Sequence, residues 1–209
     1  MNPRISPQPK SLLKAKRKRR RQWLGVSLAV GTVCILVLVA NLHRYEPPLP
    51  LLPFVYAFVP SPNCDERPSL SVINCVVLHS TVTHTTEETT RHFQNPFSKV
   101  SAHLVVGKAG EVVQMVPIEK RAWHAGTSIL EGQERVNNFS VGIEIVNLND
   151  GNDEYTEMQY FAIAGIIRFL RTRYTISDSH IVSHAQIALP PGRKSDPIKF
   201  DFDKLKRLL

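Results

Sequence analysis

From Ser71 onward the chain alternates short apolar runs with amphipathic stretches. Val72–Leu78 is rich in β-branched residues and gives way to the polar His79-Ser80-Thr81, the pattern of a buried strand. Ala102–Val106 and Glu111–Val116 flank Gly107-Lys108-Ala109-Gly110, which predicts a hairpin with glycine at the turn. Val141–Val146 predicts another strand. Thr156-Glu157-Met158-Gln159 has capping-box spacing, and Tyr160, Ile163, Ala164, Ile167, Leu170 and Tyr174 then fall on one helical face. Ile181–Ser183 is a last short strand before His184. The fold class expected is α/β, a mixed central β-sheet flanked by helices.

The pattern upstream is different. Leu24–Leu42 carries no charge and is rich in Leu, Val, Ile and Ala, long enough to span a bilayer core. A basic run precedes it, so residues 1–22 are expected as a cytoplasmic tail and 23–42 as a transmembrane signal-anchor helix, with the remainder periplasmic. Leu38 is too large for a signal-peptidase site ending at Ala40, and Val33 is bulkier than a lipoprotein site before Cys34 usually accepts, so an uncleaved anchor is the reading. The prolines at 47, 48, 50, 53, 60, 62 and 68 remove backbone donors, and 43–70 is expected as a stiff tether. Its apolar residues, among them Leu51, Leu52, Phe54 and Phe58, would pack on the domain or rest at the membrane surface. Residues 71–209 are left as one folded domain.

A formal charge of +8 invites a nucleic-acid reading, but residues 1–22 hold nine of the 26 Lys and Arg and no acid. The rest of the chain is near neutral, so no nucleic-acid partner is expected. Cys34 lies inside the expected span. Cys64 and Cys75 fall in an oxidising compartment, where they either pair or leave Cys75 as a buried thiol.

Two histidines stand in equivalent settings, each at the end of an apolar run: His79 after Ile73–Leu78 and His184 after Ile181–Ser183. Both would leave the C-terminal edge of a strand near a shared crevice. Glu144 interrupts the apolar run Val141–Val146, where an ionised carboxylate is costly unless paired, which marks it as a functional acid.

His184-Ala185-Gln186-Ile187-Ala188-Leu189-Pro190-Pro191-Gly192-Arg193-Lys194-Ser195-Asp196-Pro197 resembles the H-S-D-I-A-P-G-R-K-x-D-P-G motif of type 2 N-acetylmuramoyl-L-alanine amidases, relatives of phage lysozyme amidases and peptidoglycan recognition proteins. Val76–Thr81, Ser101–Val106, Ala122-Trp123-His124-Ala125-Gly126, Asn138 with Ser140–Glu144, and Phe200-Asp201-Phe202 match further segments in the family's order. The loop after His184 has Leu189 and Pro190 in excess, so it must bulge to return Asp196, and Ile198 replaces the glycine after D-P.

The resemblance implies zinc held by His79, His184 and Asp196, with Glu144 as general base and Lys194 stabilising an oxyanion. It also implies His124 and Arg193 as substrate contacts, and His103 as a substrate-side or supporting group. The activity implied is hydrolysis of the amide between N-acetylmuramic acid and L-alanine in peptidoglycan or muropeptides. The rival is a module that binds peptidoglycan without cutting it, which would lack the ligands or the base.

Overall fold

The alternation of apolar runs is realised in a computed structural model that describes residues 56–209. In chain order the elements are β1 (Tyr56–Phe58), β2 (Cys64–Glu66), β3 (Cys75–Ser80), α1 (Thr86–Gln94), β4 (Leu104–Val106), β5 (Val112–Gln114), β6 (Lys120–Ala122), β7 (Ile129–Leu130), β8 (Gln133–Glu134), β9 (Ser140–Ile145), α2 (Glu157–Arg171), β10 (Ile181–Ser183), α3 (His184–Ile187) and α4 (Phe202–Arg207). The main sheet has the order β1-β5-β4-β9-β3-β10. Only the hairpin partners β4 and β5 are antiparallel, so the sheet is mixed as expected. The expected anchor at 23–42 lies outside the described residues, and among the described residues no helix is long and apolar enough to cross a membrane.

Period-two alternation sorts the two faces of the sheet. Val76 and Leu78 of β3, Leu104 and Val106 of β4, and Val141, Ile143 and Ile145 of β9 form one core with Tyr160, Ile163, Ile167 and Leu170 of α2. That helix starts as its sequence predicts: Thr156 accepts from the Gln159 amide, and the Gln159 side chain returns to the Thr156 amide. The opposite face carries Cys75 and Val77 of β3 and Val105 of β4 in two smaller clusters. His79 and Glu144, at the same parity as Val77 and Gly142, belong to this second face, away from α2.

Two expectations need correction. Residues 43–70 do not remain a tether up to residue 70: β1 adds a parallel edge strand beside β5, and β2 pairs antiparallel with β6. Pro60 and Pro62 fall between these strands, where no ladder bond is lost, and an edge strand needs a partner on one side only. The folded domain therefore includes residues from 56 rather than 71. The strand expected from Val72 starts at Cys75 instead, and Val72 is 68% exposed. Cys64 and Cys75 are both free thiols, set in different apolar clusters.

Candidate active site

Strand register assembles the site. Ser183 of β10 pairs with Leu78 of β3, which places His184 alongside His79, and His79 pairs with Glu144 of β9. Three adjacent parallel strands thus end with one chemistry-bearing residue each. His184 also opens α3, held by a reciprocal cap between Ser183 and Gln186. Asp196 arrives from the loop that follows.

That loop absorbs its extra residues as a bulge pinned to the opposite wall. Leu189 N–H donates to Thr127 O at 3.0 Å, Ala188 bridges Ser128, and Ala185 N–H donates to Asp196 O at 3.0 Å. Asp196 Oδ2 then lies 3.1 Å from His184 Nδ1 and 3.4 Å from His79 Nδ1. Ile198, in place of the family's glycine, donates its N–H to Asn149 Oδ1. Asp196 thus reaches His79 and His184 despite both departures.

His79, His184 and Asp196 are all buried, and their ligand atoms lie within 4.8 Å of one another. The arrangement fits a metal ion on the chemistry of its donors. The far nitrogen of each ring is already engaged, His184 Nε2 with Ala125 O at 3.2 Å and His79 Nε2 with His124 Nδ1 at 3.0 Å, so both Nδ1 atoms face the carboxylate. Outer partners of this kind orient ligating imidazoles. Burial pushes His79 down to about 4, which keeps it neutral, the form that ligates. Burial alone would raise Asp196, but the His184 and His79 rings beside it outweigh that effect and hold the acid well below the usual carboxylate range.

Glu144 lies on an interior strand, between β3 and β4, and not on an open edge. Its Oε2 is buried without a hydrogen-bond partner. Burial, followed by the nearby Asp196, pushes its carboxyl up to about 8, while Lys194 pulls it back. Lys194 is exposed at the rim. Together with His79, His184 and Asp196, these residues line a cavity of about 300 Å³ whose wall also includes Trp123, His124, Phe93 and Val100.

The family model described as N-acetylmuramoyl-L-alanine amidase matches residues 69–199, more than half of the chain and all of the site just described. The chain belongs to the N-acetylmuramoyl-L-alanine amidase family. It is 43% identical over 114 residues to a 1,6-anhydro-N-acetylmuramyl-L-alanine amidase, AmpD, of Citrobacter freundii, a match spanning 53% of this chain and 58% of that relative. A crystal structure of an AmpD derivative superposes with a TM-score of 0.62 at 32% identity, covering 78% of this chain and 99% of the other. The Escherichia coli amidase AmiD, in complex with anhydro-N-acetylmuramic acid-L-Ala-D-γ-Glu-L-Lys, gives 0.60 at 26% identity, covering 68% and 60%.

Of the three further residues that the resemblance implied near the substrate, only His124 lines the cavity. Arg193 is absent from the cavity lining, because its guanidinium donates to the backbone oxygens of Leu189, Thr127 and Ala125 and braces the loop. His103 is fully buried: its Nδ1 accepts from Gly142 N–H at 2.9 Å and its Nε2 meets Lys120 O at 3.0 Å. His124 does line the cavity, yet both its nitrogens are engaged with protein, Nδ1 with His79 and Nε2 with Ser140 Oγ.

Arg67, a lone arginine in a proline-rich stretch, stands in no motif and carries no sequence signal of a role. Its guanidinium is buried against the carbonyls of Asn137, Asn138, Ile118 and Ser140, and it pins the start of β9. Ser140 stood in a quoted motif but without a role.

Proposed function

We propose that this chain is a zinc-dependent amidase that cleaves the N-acetylmuramoyl-L-alanine bond of anhydro-muropeptides. The observation that carries the reading is the convergence of His79, His184 and Asp196 beside the unpartnered carboxylate of Glu144. Two imidazoles and a carboxylate with an open cavity suit catalytic zinc, which supplies Lewis acidity to polarise a carbonyl and acidify water. Glu144 takes the proton of the attacking water and returns it to the departing amine of L-alanine. The Lys194 ammonium, at the rim, meets the charge that develops on the carbonyl oxygen. A module that only binds peptidoglycan has no use for a buried, unpartnered acid at this point.

The anhydro form of the substrate is favoured by the name of the Citrobacter freundii relative and by the ligand of the Escherichia coli complex. Residues 23–42, as an anchor with the basic tail on the cytoplasmic side, would hold the enzyme at the inner membrane with its catalytic domain in the periplasm. Support for that placement is the sequence pattern alone.

The deciding experiment is mass analysis of products after incubating the full-length chain with purified anhydro-muropeptides and with intact sacculi, with and without chelator. Free stem peptide from the anhydro-muropeptides, abolished by chelator and restored by zinc, is expected. Binding without release of peptide would sink the catalytic reading, and release from sacculi alone would sink the substrate assignment.

A further inference from the structure

The ring of His124 lies flat against β9, over Gly142, where a Cβ would come within 2.5 Å of it. Its contacts form a chain whose protons can be placed in order. The Ser140 hydroxyl is 2.7 Å from Val136 O, a carbonyl that can only accept, so the single hydroxyl proton is committed there. Ser140 Oγ therefore acts as acceptor toward His124 Nε2 at 3.1 Å, which places the His124 proton on Nε2. A neutral His124 then presents a bare Nδ1 to His79 Nε2 at 3.0 Å and must receive its proton. His79 Nδ1 is left bare, directed at Asp196.

The frame around this chain is fixed independently. Arg67 holds the carbonyls of Asn137, Asn138 and Ser140, and Asn137 Oδ1 accepts from the backbone N–H groups of His124 and Ala125. Neither His124 nor Ser140 needs to touch substrate for this arrangement to matter.

We infer that His124 is a positioning residue: through Ser140 it locks His79 in the Nε2–H tautomer and so presents Nδ1 as a ready metal ligand. The inference rests on the metal-site reading above. Loss of either partner lets His79 take the Nδ1–H form, from which a proton must be moved before a metal can bind. Outer partners of ligating histidines typically carry 10- to 100-fold in metal affinity, so a loss of about that size is expected.

The test pairs long-range 1H–15N spectroscopy of the imidazoles in the metal-free, full-length chain at neutral pH with competitive zinc titration. His79 should show a protonated Nε2 and a bare Nδ1. Ser140→Ala and His124→Leu should lose that preference and bind zinc roughly 10- to 100-fold more weakly. His124→Gln, whose carbonyl can accept from His79 and whose amide can donate to Ser140, should restore both. An Nδ1-protonated His79 in the unmodified chain overturns the inference, as does lowered stability in the variants with an unchanged tautomer. If His124→Leu does not fold, Ser140→Ala decides alone. Failure of the unmodified chain to bind zinc would count against the metal site itself, while the spectrum would still settle the tautomer.

Discussion

At the residue scale, Glu144 and Gly142 separate chemistry from geometry on one strand. Glu144 touches no ligand atom by hydrogen bond, so Glu144→Gln should keep full zinc stoichiometry while amide hydrolysis falls by about 10²- to 10⁴-fold, the usual contribution of a general base. Metal analysis alongside product release checks both halves. Gly142→Ala acts otherwise. Alanine suits a strand interior better than glycine, yet here its Cβ would meet the His124 ring, so weaker zinc binding and lower kcat are expected together, read by titration and initial rates. His79, His184 and Asp196, the residues that converge, were legible in the sequence because each ends an apolar run or stands in a motif. Arg193 and His103 were legible only as motif members. A motif records which residue type recurs, not which way it faces, and Arg193 turned to backbone carbonyls while His103 turned inward.

At the scale of elements, legibility followed hydrophobic contrast. β3, β9 and α2 present strong alternation or a long apolar face, and each was found within a few residues of its predicted bounds. α1 escaped notice: Thr-Glu-Glu-Thr-Thr-Arg-His-Phe-Gln is polar nearly throughout, and only Thr86, Thr89 and Phe93 are buried. β1 and β2 were hidden by prolines that the fold places between strands. Thr156→Ala should cost about 1 kcal/mol by removing the cap of α2, with activity unchanged, as measured by chemical denaturation. The β2–β6 pair carries a pH signature. Hydrogen bonding from Arg121 holds Asp65 below its ordinary value, so the stability it contributes is present above about pH 4 and is lost as the pH falls through its folded value. Asp65→Asn should flatten the acid side of the stability profile, a change visible in unfolding midpoints between pH 2 and 6.

For the whole molecule, a metal held by these residues would couple to the fold, because His79 comes from β3 whereas His184 and Asp196 come from α3 and the loop that follows it, far along the chain. Zinc that binds only the folded chain should raise its melting temperature, with about 2.7 kcal/mol added at a hundredfold excess over Kd, and a chelator should reverse the shift in a thermal scan. The edge formed by β10, β3 and β9 also acts as a ruler. Neighbouring strands sit about 4.8 Å apart whatever their side chains, so His184, His79 and Glu144 inherit their lateral spacing from the backbone ladder. Only Asp196 is placed by loop length, and here the bulge accommodates two extra residues without disturbing the graduations. A parallel sheet edge of this kind is a portable mount: two histidines and an acid on successive strands define the working distances, and the returning loop is free to vary with the substrate it must admit.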